Sequence, residues 1–272
     1  MLIEGKKISD KILAELKDIV IRDGLKLRLD MILVGSDPSL KKFVEIKARA
    51  ADEIGVEHVL HEFPENITSD DLVSEVRKIV AHDACDGVFV ELPLPKHVDV
   101  QRVLNEITVK KDVDVLSQAA QDLFFAGQFD VLPPAVEALK TVLEFYQLDL
   151  KSKKVAVFGQ GLLVGRPISF WLGKIGAKVS RIDEFTEHPE NYSQEADIVI
   201  SGVGKPEFIT GEMIKEGAVA IDFGYGRKEG TMKGDFDFNS VSGKASLITP
   251  VPSGVGPLVV VSVLKNLIKL NS

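Results

Sequence analysis

The chain has 272 residues, of which 45% are hydrophobic and 27% are charged, and its formal net charge is −8. This length allows one large domain or two medium domains with real cores, and the composition is ordinary for a soluble globular protein. The acidic balance argues against non-specific binding to nucleic acid, because basic patches carry such binding.

The ends of the chain and its single cysteine bear on where the protein works. Residues 1–16 are amphipathic and carry acids, which is typical of neither a signal peptide nor a transit peptide. Cys85 is the only cysteine, which excludes an intramolecular disulfide and suits a reducing compartment. Prolines and glycines break the uncharged segment 245–264, so it cannot span a membrane as a regular helix. We expect a cytoplasmic protein without membrane contact, and the scattered histidines predict no metal site.

The first half of the chain alternates predicted helices and strands. A helix is predicted over residues 8–22, with Ser9 as a candidate N-cap, and a later helix over 69–81, with Ser69 as its N-cap. Further helices are predicted at 38–54 and 98–107, and strands at 27–34, 56–63 and 87–92. This order predicts a β-α-β lobe.

Four charged positions of this lobe stand out. Lys47 falls within an apolar helix stripe, four residues after Phe43, and is either a snorkelling lysine or an amine held in a pocket. Glu91 ends a buried strand, where a carboxylate is costly unless it is paired or exposed in a cleft. Asp112 and Asp114 lie in the following loop, and each could simply cap that loop.

The second half opens on a strand, a glycine turn and a helix. Residues 155–158 form an apolar run, Gly159, Gly161 and Gly165 follow, and an amphipathic helix comes next. In this order the glycines let backbone amides approach a pyrophosphate at the helix N-terminus, although a tight turn without any ligand also explains them. Asp183 ends the next strand, where such folds bind the ribose hydroxyls.

Further apolar runs predict the rest of a parallel sheet. Strands are predicted at 177–182, 196–201 and 218–223, separated by segments of helix length. The turn-rich segment 127–134 is the candidate domain boundary, and a last helix is predicted over 257–270. The chain therefore carries two α/β lobes, the second of them a doubly wound parallel sheet.

Several segments together resemble one family, the methylenetetrahydrofolate dehydrogenase/cyclohydrolase enzymes. The matching segments are GSDPSLKKFVEIK (35–47), GVFVELPLP (87–95), KKDVDV (110–115), GQGLLVGRP (159–167), GKPEFI (204–209), KGDFDF (233–238) and ITPVPSGVGPL (248–258). The resemblance implies two α/β domains with a cleft between them, the second Rossmann-like, and a homodimer. We expect a folate-binding catalytic domain at 1–130, rejoined by the helix 257–272, and a dinucleotide-binding domain at 131–256.

The same resemblance implies an activity and a set of site residues. The family oxidises 5,10-methylenetetrahydrofolate with NAD or NADP and then hydrolyses the methenyl product to 10-formyltetrahydrofolate. Lys47 matches the family's catalytic lysine, and Asp114 matches the aspartate that hydrogen-bonds the pterin. Phe43 stands where the family has tyrosine, and Glu91 where it has glutamine. An ion pair of Glu91 with Lys47 would keep the lysine protonated, so we expect weak or absent cyclohydrolase activity unless Glu91 itself is the base.

The cofactor positions also depart from the family pattern. The family's Gly-Arg-Ser is Gly159-Gln160-Gly161 here, and its His-Ser is Asp183-Glu184. Acids at Asp183 and Glu184 would repel a 2′-phosphate, which favours NAD, although Arg166 could still reach a phosphate. The resemblance also places Gly165 and Tyr225 at the cofactor and Pro252, Ser253 and Gly254 at the substrate.

Two other functions fit the same sequence. The departures from the family pattern allow a non-catalytic relative that binds folate or a nucleotide. An enzyme that acts on a different one-carbon carrier is disfavoured by Asp114, because a lone aspartate has little reason to line a cleft without an N–H-bearing ring to hold. Turnover would distinguish the catalytic from the non-catalytic protein, since both bind.

Overall fold

The computed structural model describes residues 1–272, which form two compact units. The first, which we call the five-stranded unit, contains Met1–Ser9 and Ala135–Val259. The second, which we call the three-stranded unit, contains Asp10–Pro134 and Val260–Ser272. The chain passes from one unit to the other after Ser9, Pro134 and Val259. The last two of these points lie within a few residues of the domain boundaries predicted from the sequence. The first nine residues group with the five-stranded unit, whereas the predicted boundaries place them in the first domain.

Helices and strands alternate through most of the chain. The helices are α1 (Gly5–Arg22), α2 (Pro38–Ile54), α3 (Ser69–Ala81), α4 (Val100–Leu104), α5 (Gln118–Ala126), α6 (Pro134–Phe145), α7 (Gly165–Lys174), α8 (Pro189–Ser193), α9 (Phe238–Ser242) and α10 (Val255–Leu270), with a 3-10 turn at Gly211–Met213. The strands are β1 (Arg28–Val34), β2 (Glu57–Phe63), β3 (Gly87–Val90), β4 (Lys154–Phe158), β5 (Lys178–Ile182), β6 (Ile198–Ser201), β7 (Val219–Asp222), β8 (Gly226–Lys228), β9 (Thr231–Lys233) and β10 (Leu247–Ile248).

The three-stranded unit is built on a parallel sheet in the order β2-β1-β3. Strand β1 is central and buried from Leu29 to Val34, and its two charged residues, Arg28 and Asp30, form an ion pair at 2.7 Å. Leu29, Met31 and Leu33 of β1 form one core with Phe89 of β3 and with α2 and α10. Burying one such side chain stabilises the fold by about 1.5–3 kcal/mol.

The five-stranded unit is the predicted doubly wound sheet, with parallel strands in the order β10-β7-β6-β4-β5. Strand order reverses at β4, which pairs with β5 on one side and with β6 on the other. A ligand site is expected beyond the carboxyl ends of the strands at such a reversal. The antiparallel hairpin β8–β9 follows β7 and was not predicted.

Two predicted helix caps are wrong. Helix α1 begins at Gly5, so Ser9 lies inside it and its hydroxyl donates to the Lys6 carbonyl at 2.8 Å. The N-cap of α3 is Thr68, whose hydroxyl accepts the Asp71 N–H at 3.1 Å. Neighbouring Ser and Thr residues offer the same capping oxygen, so the sequence alone does not separate them.

The remaining sequence expectations concern the thiol, metals and membranes. Cys85 is buried, and burial raises the pKa of its thiol to about 12, with a further rise from Asp30. No group of three or more His, Cys, Asp or Glu side chains is arranged to hold a metal ion. None of the helices has the combined length and apolarity that crossing a bilayer requires.

Candidate active site

Lys47 and Glu91 form a mostly buried ion pair in the three-stranded unit. The Asp37 carboxylate caps the N-terminus of helix α2 by accepting the N–H groups of Ser39 and Leu40. The helix carries Lys47 in its third turn. The Nζ atom of Lys47 lies 2.7 Å from Oε2 of Glu91, and 13% and 8% of the two side chains are exposed. Strand β3 brings Glu91 there, directly after Val90.

Aromatic rings complete the surroundings of this pair. The Lys47 ammonium also lies 4.0 Å from the centroid of the Phe89 ring, a cation–π contact. Phe43 is half-buried and lies one helical turn before Lys47, on the same face of α2. Neither ring offers a group that accepts or gives a proton, so Glu91 is the acid–base partner of Lys47.

The loop after α4 gives its two acids different roles. The Asp112 carboxylate is fully buried and accepts the N–H groups of Leu116 at 3.0 Å and Ser117 at 2.7 Å, so it caps the loop. No hydrogen bond within the protein reaches the carboxylate of Asp114, which is only partly buried. Burial raises the pKa of Asp114 to about 7; Lys47 opposes this rise, while Asp112 and Glu91 add to it. The Asp114 carboxylate is therefore the one free to accept a ligand's N–H groups.

A buried asparagine of α10 fixes the backbone beside Asp114. The Asn266 side chain is 2% exposed and donates its two amide hydrogens to the carbonyls of Val113 and Leu132, each at 2.8 Å. Val113 immediately precedes Asp114. Asn266 was not predicted from the sequence, although a single amide within the apolar face of a helix is a signal that could have identified it.

In the five-stranded unit the glycines form a tight turn between β4 and α7. Gly159 has a φ of 83°, in the left-handed region that favours glycine. A Cβ atom at Gly165 would collide with the Gly159 carbonyl, so only glycine fits the start of α7. Gly161 has open space on its Cβ side, which leaves its backbone free for the approach of a ligand.

Gln160 turns into this loop. Its amide nitrogen donates to the carbonyls of Val157 at 3.0 Å and Gly159 at 3.1 Å, and its amide oxygen accepts from the Ser169 hydroxyl at 3.2 Å. The side chain is therefore used within the protein, as a brace between the turn and α7. Its expected position at the cofactor rested on the family's arginine, and the hydrogen bonds to the loop could not be read from the sequence.

The other predicted cofactor residues lie on loops of the same unit. Asp183 and Glu184 are exposed directly after β5, and the Asp183 carboxylate accepts the Phe185 N–H at 3.1 Å and the Thr186 hydroxyl at 2.8 Å. Arg166 is exposed in the first turn of α7, and its N–H donates to the Gly161 carbonyl at 3.1 Å. Tyr225 is half-buried between β7 and β8.

The segment at the start of α10 supplies the last three predicted residues. Pro252 and Ser253 are exposed, and Gly254 is buried. Ser253 has a φ of 80°, where glycine is favoured, and its carbonyl accepts the Lys6 N–H at 3.1 Å. A Cβ atom at Gly5 would collide with the Gly254 carbonyl, so the N-terminal segment lies directly against this turn.

The structure thus groups the predicted residues by unit. Lys47, Glu91, Phe43 and Asp114 belong to the three-stranded unit, with Lys47 in contact with Glu91 and electrostatically coupled to Asp114. The predicted cofactor residues and the 252–254 segment belong to the five-stranded unit. A doubly wound sheet with a glycine turn and an acid after its second strand defines a dinucleotide-binding α/β protein.

Family models match both parts of the chain. The tetrahydrofolate dehydrogenase/cyclohydrolase catalytic domain matches residues 3–114, and the NAD(P)-binding domain of the same family matches residues 133–272. The chain therefore belongs to the tetrahydrofolate dehydrogenase/cyclohydrolase family, which confirms the resemblance found in the sequence.

Relatives and solved structures extend over the full chain. The chain is 39% identical to the bifunctional protein FolD of Nautilia profundicola, covering 98% of this chain and 96% of that protein. The crystal structure of the bifunctional FolD enzyme from Campylobacter jejuni superposes with a TM-score of 0.94 at 34% identity, covering 99% and 98% of the two chains. The Trypanosoma brucei FolD enzyme, solved with NADP and an inhibitor, gives a TM-score of 0.94 at 29% identity, covering 99% and 96%.

Proposed function

We propose that the chain oxidises 5,10-methylenetetrahydrofolate to 5,10-methenyltetrahydrofolate with NAD as its preferred cofactor, and that it hydrolyses the product slowly. The reaction class rests on family membership over both domains. The rate of hydrolysis rests on one observation, the ion pair of Lys47 with Glu91 at 2.7 Å. No observation favours the non-catalytic alternative.

The free carboxylate of Asp114 suits a folate ring. A pterin presents neighbouring N–H groups, and an ionised carboxylate accepts two such groups side by side. The charges of Lys47 and Glu91 act on Asp114, so this site contains both a cation and carboxylates. These residues bind and orient the substrate in our proposal.

The five-stranded unit can hold the dinucleotide. The turn at Gly159–Gly165 leaves no room for a side chain at Gly165 and leaves Gly161 open, so a ligand's phosphates could approach the backbone there. When bound, a nicotinamide cofactor accepts the hydride that leaves the methylene carbon. Hydride transfer needs alignment of the two rings and no protein base, so the loss of a tyrosine hydroxyl at Phe43 is compatible with it.

Hydrolysis makes a different demand on the site. Water adds to the methenyl carbon, and a proton must leave that water, which a neutral amine could accept. A lysine bound to a carboxylate keeps its own proton. This chemistry supports oxidation that proceeds normally and hydrolysis that is slow, with Glu91 as the one base available.

The acids after β5 support NAD over NADP. Asp183 follows the second strand of the sheet, where such folds bind the ribose hydroxyls, and with Glu184 it would repel a 2′-phosphate. Gln160 contributes no positive charge, and its side chain is held by the glycine turn. Arg166 is the one exposed cation of this turn that could offset the repulsion.

The proposal includes a cytoplasmic homodimer. Strand β5 lies at the edge of the five-stranded sheet, with one side unpaired, and Tyr192 and Ile175 nearby are 48% and 41% exposed. An open edge of this kind is a template for pairing with a second strand. Light scattering of the purified protein should give twice the chain mass of 29.7 kDa.

Turnover tests the function directly. Purified protein is mixed with 5,10-methylenetetrahydrofolate and either NAD or NADP, and the absorbance of the methenyl product is followed. Product with NAD at ten or more times the efficiency seen with NADP supports the proposal. An efficiency with NADP at least ten times that with NAD would overturn the cofactor preference but not the dehydrogenase activity. Folded protein that gives no product with either cofactor would overturn the enzymatic function.

A further inference from the structure

Two buried carboxylates in the five-stranded unit have no role in the site described so far. Asp222 is the last residue of β7 and is 3% exposed, and Asp235 follows β9 and is fully buried. Neither carboxylate belongs to an ion pair. Two buried anions without a cation are costly, so the pair needs a physical explanation.

Asp235 holds the loop that follows β6. Its Oδ2 atom accepts the hydroxyl of Ser201 at 2.6 Å and the N–H groups of Val203 at 2.7 Å and Gly204 at 3.2 Å. Its Oδ1 atom is buried and has no hydrogen-bond partner. One oxygen of this carboxylate is therefore saturated, while the other lacks a donor.

Asp222 holds the loop that follows β7 and is interlocked with Asp235. Its Oδ1 atom accepts the N–H groups of Gly224 at 2.7 Å and Asp235 at 3.2 Å, and its Oδ2 atom accepts the N–H of Phe236 at 3.0 Å. A Cβ atom at Gly224 would collide with the Asp235 carboxylate, and one at Gly234 would collide with that of Asp222. The two acids are thus enclosed by backbone.

The charged groups on the surrounding elements point elsewhere. From the hairpin, Lys228 and Lys233 bind Glu207 at 2.6 Å and 2.8 Å, and from the loop after β6 Lys205 lies over the Phe208 ring. Strand β6 contributes Ser201, and the segment after β10 contributes the Thr249 hydroxyl, which accepts the Asp222 N–H. Burial raises the pKa of Asp222 to about 7, and the charge of Asp235 adds to this rise.

We propose that Asp222 and Asp235 share one proton and act as positioning residues for the two loops, after β6 and after β7, that flank the cofactor site. A proton between the carboxylates gives Oδ1 of Asp235 its missing hydrogen bond and removes one of two buried charges. That these loops face a dinucleotide rests on the proposed function, because such ligands bind beyond the carboxyl ends of the strands.

The proposal has a definite pH dependence. The folded-state pKa of Asp222 lies above its value in an unfolded chain, so the folded protein holds an extra proton between about pH 4 and pH 7. Stability therefore falls as pH rises through this window. Above pH 7 the pair carries two charges, the loops are pushed apart, and dinucleotide affinity falls.

Two asparagine variants separate this proposal from simple packing. In D235N the amide oxygen can accept the three donors of Ser201, Val203 and Gly204, while the NH2 group replaces the partnerless Oδ1. In D222N both carboxylate oxygens already accept N–H groups, so an NH2 group there meets a backbone donor in either orientation. D235N should fold, and D222N should be markedly less stable.

Melting temperatures of the full chain from pH 5 to pH 8.5 provide the first measurement. The melting temperature of D235N minus that of the wild type should rise by on the order of 5 °C between pH 5 and pH 8. The same melting-temperature profile in D235N and wild type, or a D222N variant as stable as D235N, would overturn the shared proton.

Titration with NADH at pH 6.5 and pH 8.5 provides the second measurement. Wild-type affinity should fall about tenfold across this range, while that of D235N should change less than about twofold. Equal pH dependence in both proteins would overturn the positioning role. A wild type that binds no NADH at either pH would instead refute the proposed function, and the melting profiles would still decide the shared proton.

Discussion

Lys47 and Glu91 neutralise each other where solvent is scarce. Removing the proton of Lys47 would leave the Glu91 carboxylate, 8% exposed, without its cationic partner, which is costly in a buried site. An ammonium has no lone pair with which to accept a proton from water. At the scale of single residues, we therefore expect one oxygen in place of an amide nitrogen at Glu91 to slow hydrolysis without slowing oxidation.

Replacing Glu91 with glutamine tests this separation. Gln can still accept a hydrogen bond from Lys47 but does not hold its proton, so E91Q should hydrolyse the methenyl compound about tenfold faster or more, within the range of general-base catalysis. The decay of methenyl absorbance measures the rate. Adding Lys47→Met to E91Q should abolish this gain and leave a rate no higher than that of the wild type. An E91Q rate equal to the wild-type rate would show that the ion pair does not limit hydrolysis.

The pKa of Asp114 predicts how substrate binding responds to pH. With a pKa of about 7, its ionised fraction rises roughly tenfold between pH 6 and pH 8, and only the ionised form accepts two N–H groups. The KM for methylenetetrahydrofolate should fall as pH rises through 7, and D114N should raise KM and flatten the profile. Lys47, Glu91 and Asp112 are the charged groups that act on this carboxylate. A KM that does not change with pH in the wild type would contradict the assignment.

At the scale of elements, the glycine turn contains one position that we expect to affect folding, Gly165, and one that we expect to affect binding, Gly161. Gly165→Ala places a methyl group against the Gly159 carbonyl and should destabilise the protein by a few kcal/mol, as overpacking does. Gly161→Ala enters open space, so its melting temperature should match that of the wild type while NADH affinity falls at least about tenfold. Thermal melts and NADH titration of both variants measure this. Unchanged NADH affinity in G161A would show that no ligand approaches that position.

We expect helix α10 to act on the proposed substrate site through Asn266. Asn266→Leu removes the donors to the Val113 and Leu132 carbonyls, and each buried, unpaired carbonyl costs about 1–3 kcal/mol. We expect a lower melting temperature and a higher KM for the folate substrate, with NADH affinity unchanged. Asn271→Leu, at an exposed position directly after α10, is the matched control. It should change neither the KM for the folate substrate nor the NADH affinity. Equal loss of folate and NADH affinity in N266L would point to general destabilisation.

The sequence predicted the elements with strong periodicity and missed those fixed by tertiary contacts. Strand β3 is an uninterrupted apolar run, and β1 is apolar apart from Arg28 and Asp30, as burial in a parallel sheet explains. The three-residue strands β8 and β9 carry no such pattern. Lys47 and Glu91 stood out as charged residues in apolar surroundings, but only the resemblance placed them in one site, and their contact was left open. Asp112 and Asp114 differ only in which backbone N–H groups they meet. The inward turn of Gln160 depends likewise on contacts that no local pattern encodes.

At the scale of the whole molecule, the last residues of the chain complete the core of the three-stranded unit. Val261, Val263, Leu264, Leu267 and Ile268 are buried against β1 and α2. Ending the chain after Val259 removes all five, a loss of about 10 kcal/mol, which approaches the whole stability of a domain. Proteolysis should then cut residues 10–134 rapidly. Ending the chain after Leu270 is the control and should leave proteolysis unchanged; resistance of the shorter chain would contradict this role of α10.

The distribution of chromophores offers a way to watch each unit alone. Trp171 and the three tyrosines, Tyr146, Tyr192 and Tyr225, all belong to the five-stranded unit, while the single thiol, Cys85, belongs to the three-stranded unit. Fluorescence excited at the tryptophan band therefore reports one unit only. Because a buried thiol with a pKa of about 12 reacts with alkylating reagents only after local opening, the labelling rate of Cys85 reports the other. The unmodified chain is thus a two-channel sensor of its own unfolding.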